Sequence, residues 1–252
     1  MNQSLLSAEF LLGCRLRTAD GADAGLTDLI LDTEQWSVQF LAVDAQQWAL
    51  DRDLVLTPRL LSGVDEARRE LTLDLTGAEL RASPQLDMDD EGFAGFDNAE
   101  ETTPAWRRHW QAEMQPEGGI DPPPPPAEED EVAADLGAET QVSAEQLVRM
   151  DVLRTLAIRA TDGVDLRLED LLIDDSDWSL AYLQAVLPAA AGAGAHDLRC
   201  LVPRQGIQAL DRAGETLYLG VSSRQLRDAP REPLPVTTAP DDAMVQVLSL
   251  SG

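Results

Sequence analysis

The sequence predicts a mainly β protein in which two small barrels flank an acidic, proline-rich linker. Three observations lead there: an internal repeat, short alternating apolar runs inside each copy, and a charge concentrated between the copies. The chain has 252 residues and a net charge of −27, from 46 acidic and 19 basic side chains. Every basic residue is Arg. Residues 1–86 hold 14 acidic and 7 basic side chains, and residues 146–252 hold 15 and 10. Residues 87–145 hold 17 acidic side chains against only Arg107 and Arg108, so more than half the charge sits in under a quarter of the chain. Pro122 to Pro126 are consecutive and are followed by Glu128, Glu129, Asp130 and Glu131. Proline runs adopt extended polyproline II, and clustered carboxylates repel, so this stretch reads as a spacer. Within it Trp106 and Trp110 stand four apart, and a short helix near 104–112 would put both rings on one face, against a domain or a partner.

Composition excludes several classes. A polyanion repels the phosphates it would have to neutralise, which argues against direct nucleic-acid binding, and an anionic membrane surface is disfavoured likewise. No run approaches the 18 or so apolar residues of a membrane span. Met1 to Phe10 carries Glu9 and no basic n-region, unlike a secretory signal. Two Cys, Cys14 and Cys200, make no disulfide framework and suit a reducing compartment. The expected location is cytoplasmic.

The repeat is ungapped over nearly thirty residues. Asp20-Gly21 returns as Asp162-Gly163, and Asp28-Leu29-Ile30-Leu31-Asp32 as Asp170-Leu171-Leu172-Ile173-Asp174. Trp36-Ser37 and Phe40-Leu41 return as Trp178-Ser179 and Tyr182-Leu183, all at offset 142. Pro58-Arg59 matches Pro203-Arg204 at offset 145, which places three inserted residues near Ala189 to Ala195. Leu71, Leu73, Leu80, Arg81 and Pro84 then match Leu217, Leu219, Leu226, Arg227 and Pro230.

In each copy the apolar period is two, that of half-buried strands. Cys14 to Thr18 alternates and ends at the Asp20-Gly21 turn. Leu26 to Asp32 and Val38 to Asp44 form two strands around a loop ending at Trp36. Asp53 to Thr57 is stopped by Pro58, which cannot donate to a ladder. Glu70 to Leu75 puts Leu71, Leu73 and Leu75 on one face, and Thr76 caps a helical turn through Leu80. Five or six short strands in about 80 residues suit a small closed barrel with a Leu/Val/Ile core. The expected divisions are 1–86, linker 87–145, 146–234, and a tail 235–252. In the tail, Met244 to Leu250 alternates like a strand that completes a barrel edge in this chain or in a neighbour.

The run Gly13…Asp20-Gly21…Gly25…Asp28-Leu29-Ile30-Leu31-Asp32…Trp36…Phe40-Leu41-Ala42-Val43-Asp44 resembles the PRC-barrel, the fold of the cytoplasmic part of the photosynthetic reaction-centre H subunit. The layout is most similar to bacterial proteins with two such barrels in tandem. The resemblance covers about 85 residues at each end. It implies a fold and a docking role, and it carries no general catalytic motif. The second copy departs from it, with Thr155 in place of Gly13 and Arg167 in place of Gly25. Altered turns are expected there.

Chemistry-bearing candidates are few. Asp28 with Asp32, and Asp170 with Asp174, are spaced to share a proton or a divalent cation, and Asp174, Asp175 and Asp177 cluster before Trp178. Asp at strand ends also caps turns, and the cluster lacks the Gly and distal Glu of a calcium loop. His109 and His196 have no nucleophile or metal motif beside them, and Gly192 with Gly194 precede no phosphate-cradling helix. No cofactor is indicated. Trp36 and Trp178, equivalent in the two copies, either fix a loop onto each barrel or anchor a partner, as Trp106 and Trp110 do in the linker. The reading is a non-catalytic module that binds another protein or forms a homodimer. The alternative is a regulatory module taking a divalent cation or small ligand on its Asp-rich turns.

Overall fold

The computed structural model describes residues 4–44, 54–81, 86–89, 92–96, 146–189, 196–236 and 244–249. The expected helix near 104–112, Trp106, Trp110 and the proline run lie outside them. The described chain is mainly β, with curled sheets that include a half-barrel. In order it forms β1 (Leu5–Ser7), α1 (Ala8–Leu12), β2 (Arg15–Arg17), β3 (Asp23–Asp32), β4 (Ser37–Val43), β5 (Leu54–Leu56), β6 (Leu61–Asp65), β7 (Glu70–Leu73) and α2 (Gly77–Arg81). A hairpin of β8 (Leu86–Asp89) and β9 (Gly92–Phe96) follows. Then come β10 (Leu147–Arg149), α3 (Met150–Thr155), β11 (Ala157–Arg159), β12 (Asp165–Asp174), β13 (Leu180–Leu187) and β14 (Leu198–Pro203). The chain continues through β15 (Ile207–Asp211), β16 (Thr216–Leu219), α4 (Ser223–Asp228), β17 (Arg231–Pro233) and β18 (Met244–Val247).

Each long strand organises one sheet. From Leu26 to Asp32 β3 pairs with β4, while its first residues, Asp23 to Gly25, pair with β2. The order β5-β4-β3-β2-β7-β6 curls, because β2 and β7 run parallel and Pro58–Leu60 turns a 3-10 corner between β5 and β6. In the second copy β15-β16-β11-β12-β13-β14 repeats that order. The Asp20-Gly21 and Asp162-Gly163 turns hold Gly21 at φ +81° and Gly163 at φ +79°, where an L side chain is strained. Asp20 accepts from Thr18 Oγ1 and Gly77 N, and Asp162 from Ser223, so each turn is tied to the helix that ends its copy.

Two bulges shape the long strands, at equivalent places. Thr27 is the extra residue between Leu26↔Val43 and Asp28↔Ala42, and Glu169 is the extra one between Leu168↔Ala185 and Asp170↔Gln184. In a regular strand residues three apart face opposite ways; the extra residue lets Leu26 and Leu29, and Leu168 and Leu171, all enter the core. Full burial of a Leu side chain stabilises by about 1.5–3 kcal/mol. Beyond the bulge Ile30 and Leu172 point to the opposite face, into two smaller clusters with Val55 and Leu147, and with Leu201, Val245 and Val247.

The hydrogen-bonded sheets do not follow the sequence divisions. β1, from the first copy, pairs antiparallel with β12 of the second, Leu6 opposite Ile173. β10, from the second copy, pairs with β3 of the first, Val148 opposite Leu31. The exchange is reciprocal, and one buried cluster runs from Leu6 and Leu11 through Leu31 and Leu54 to Leu171 and Cys200.

Several expectations are corrected. The offset is 146 from β5 onward, so Leu54, Val55 and Leu56 correspond to Cys200, Leu201 and Val202, and four residues are gained. Cys200 and Val202 share the main core with Leu54 and Leu56, whereas Val55 and Leu201 are buried on the opposite face in the two smaller clusters; a slip of one residue would reverse every side chain. The match of Pro58-Arg59 to Pro203-Arg204 is a coincidence of sequence, since the 3-10 corners are Pro58–Leu60 and Arg204–Gly206. Turns are not altered by Thr155 and Arg167: β3 and β12 have equivalent bounds, and neither Gly13 nor Gly25 has positive φ. Gly13 instead makes room for Arg69, whose guanidinium lies 5.6 Å from the Phe10 ring centroid; a Cβ there would stand 3.0 Å from Arg69 Nη1. In the second copy Glu215 takes the place of Arg69, and Thr155 is accommodated. The β8–β9 hairpin falls inside the stretch assigned to the linker. The tail strand is as expected in one respect: of its two alternatives β18 takes docking in its own chain, parallel to β14.

Candidate functional site

Trp36, Trp178 and the Asp candidates gather near the junction between the copies, while Trp106 and Trp110 lie outside the described residues. Asp32 ends β3, and its Oδ1 accepts from the amides of Glu34 and Gln35. The turn closes at Trp36 with φ 52°, and its equivalent closes at Trp178 with φ 60°. The carbonyl of Trp36 accepts from Leu180 N at 2.7 Å, and that of Trp178 accepts from Val38 N at 2.9 Å. With the Ser37↔Ser179 bridge, these bonds stitch β4 to β13 across the junction. Trp36 is buried in the main core, and Trp178 packs partly buried against it, so each ring fixes its turn.

Two buried carboxylates latch the exchanged segments. Asp28, 1% exposed, accepts from Arg149 Nε at 2.7 Å and from Leu29 N at 2.8 Å. Asp170 accepts from Ser7 Oγ, from Glu9 N at 3.0 Å and from Leu171 N at 2.8 Å. Arg149 and Ser7 are equivalent positions at the ends of β10 and β1, so each Asp holds the strand donated by the other copy. Burial pushes the carboxyl of Asp28 above its ordinary 3.8; Arg149 opposes this and Asp151 adds to it. Burial likewise raises Asp170, against the hydrogen bond from Ser7.

Of the remaining Asp candidates Asp174 and Asp177 serve turns, and Asp175 bonds to the other copy. Asp174 accepts from Ser176 N and Oγ, Asp175 from Ser4 N, and Asp177 from Ser179 N. Hydrogen bonding from Ser179 holds Asp177 below the usual carboxylate range. Asp28 and Asp32 are separated by different tasks, as are Asp170 and Asp174. Among the described residues no three His, Cys, Asp or Glu side chains are grouped to hold a metal ion. Burial pushes the Cys14 and Cys200 thiols up to about 11, which disfavours the thiolate.

The junction opens into a cleft of about 550 Å³. Thr33 to Trp36 line one wall, and Arg204 with Ile207 to Leu210 the other. Arg204 crosses it, Nη1 donating to Gln35 O at 2.8 Å. Gln146, where the second copy begins, is pinned on the same turn, its carbonyl accepting from Thr33 N and Oγ1. Sequence reasoning missed Ser7, Arg149, Gln146 and Arg204. The first two occupy one repeat position with unlike residues, so similarity does not flag them. Among the described residues no helix is long and apolar enough to cross a membrane. The chain matches no family model and no curated protein.

Proposed function

We propose that the chain is a non-catalytic docking module built from two PRC-type barrels fused through exchanged strands, with residues 97–145 as an acidic connection. The sequence repeat, the curled sheets and the resemblance in the Asp20 to Asp44 run support the barrel assignment. The observation that carries the docking role is the cleft: it draws walls from the two copies and is bordered by β15, the end strand of its sheet. An end strand offers backbone donors and acceptors to an added strand, and the neighbouring cleft offers pockets for its side chains. Gln208 and Ala209 are exposed along β15. A partner would add an extended segment there, near Arg204 and the edge of Trp36.

The test is co-purification of the full-length chain from its native lysate beside two variants. Arg204→Glu with Ala209→Arg alters the cleft, and Ser62→Arg alters β6, the corresponding end strand of the first copy. A stoichiometric protein should be recovered with the parent and with Ser62→Arg and be lost with the cleft variant. Equal recovery by all three removes the cleft as the docking site, and no partner under any condition removes the docking reading.

A further inference from the structure

We propose that the exchange interface also accepts a second copy of this chain, giving a dimer in which the first repeat of one molecule completes the second repeat of the other. This goes beyond the cleft and does not depend on it. The bonds that join the copies are all between the repeats themselves: β1 on β12, β10 on β3, the paired Trp36 and Trp178 carbonyls, and the Asp28 and Asp170 latches. The same surfaces are presented by any other molecule of the protein, because the exchange is reciprocal and closed under a two-fold relation. Exchanging an identical element between molecules creates no new contact and so carries little intrinsic cost.

What favours the single-chain form is tethering alone. β9 lies beside β10, so residues 97–145 connect two neighbouring points with far more chain than that distance requires. A random coil of that many residues would have a root-mean-square span on the order of 40 Å. Tethering of that kind gives an effective concentration on the order of 1 mM. Well below it each chain closes on itself, and near it the exchanged dimer becomes comparable. Passage between the two requires β1 and β10 to leave a fused core, so forms set during folding persist afterwards.

The test uses the full chain in ordinary and isotopically heavy forms, unfolded together, refolded at about 10 µM and about 1 mM, and read by native mass spectrometry. At the lower concentration the 27.4 kDa monomer should dominate. At the higher, a species of twice that mass should appear in comparable amount, half of it mixed heavy and light. Folded heavy and light chains mixed without unfolding should give no mixed species over the same period. Full-length Leu31→Pro, with a damaged first acceptor strand, and full-length Ile173→Pro, with a damaged second, provide a complementary reading. Refolded together they should yield a one-to-one complex that unfolds cooperatively, which neither gives alone. Monomer alone at every concentration, with no complementation, overturns the proposal. So does a mixed dimer that forms as readily from folded chains, because that would be a surface contact.

Discussion

Replacing Arg149 by Met should destabilise the protein in a way that grows with pH. The guanidinium sits 2.7 Å from a carboxylate that is 1% exposed, and its own side chain is 27% exposed. Removing one partner of a buried pair leaves a charge with little solvent, a loss of about 3–5 kcal/mol when the site is closed. The partial exposure of Arg149 places the expected loss near the lower end, about 3 kcal/mol at neutral pH, against a total of roughly 5–15 kcal/mol for a domain. Asp28 in the folded state has its carboxyl raised above 3.8, so the folded protein holds that proton more tightly than the unfolded chain. The associated stability is fully present below 3.8 and is lost as pH rises through the raised folded value. Arg149 lowers the folded value, so its removal raises it further and deepens the loss above it. Urea unfolding followed by Trp fluorescence, for parent and variant at about pH 5 and pH 7.5, measures this directly. Arg149→Met should lose more at the higher pH, and adding Asp28→Asn should recover most of that loss and flatten the dependence. A loss under about 0.5 kcal/mol, or an equal loss at the two pH values, would refute the latch argument.

Three further outcomes are expected. Gly21→Ala and Gly163→Ala should each cost about 1–2 kcal/mol in urea unfolding, because φ is positive although nothing lies within 4 Å, whereas Gly25→Ala, at negative φ, should cost nothing. Ellman's reagent at about pH 8 should label neither Cys14 nor Cys200 in the folded protein and both in denaturant, since each thiol is buried with its pKa near 11. Truncation after Pro240 should remove β18, expose Leu201 and Leu172, and lower the melting temperature, with amide exchange rising along β14 before β5.

What the sequence makes legible is local. The strand around Leu29 and Leu31, the Thr76 cap and the Asp20-Gly21 turn follow from period-two alternation and side-chain chemistry within a few residues. The Thr76 cap is real: Glu79 N donates to its Oγ1, and its own amide donates to Glu79. The bulges at Thr27 and Glu169 have no comparable signature, although Leu26 and Leu29 at spacing three already sit awkwardly on one face. The exchange is illegible for a deeper reason. Offset 142 extends back to Leu5 and Leu147, so the extra strands could be found, but a repeat by itself says nothing of which copy receives which strand. The Asp candidates were recognised as residues, while their role depended on Ser7 and Arg149, more than a hundred positions away.

The exchange also imposes an order on synthesis. Ser7 is bound by Asp170, 163 residues later in the chain. At a translation rate of roughly 5–20 residues per second, β1 waits on the order of 8–30 s after emerging before its acceptor strand exists. During that interval Leu5 and Leu6 of β1 have no strand to join, α1 can pack on β3 but lacks β12, and β3 lacks Arg149 against its buried Asp28. The first half of this protein is therefore a nascent chain that holds two debts until its second half leaves the ribosome, and that interval is when a chaperone would find it.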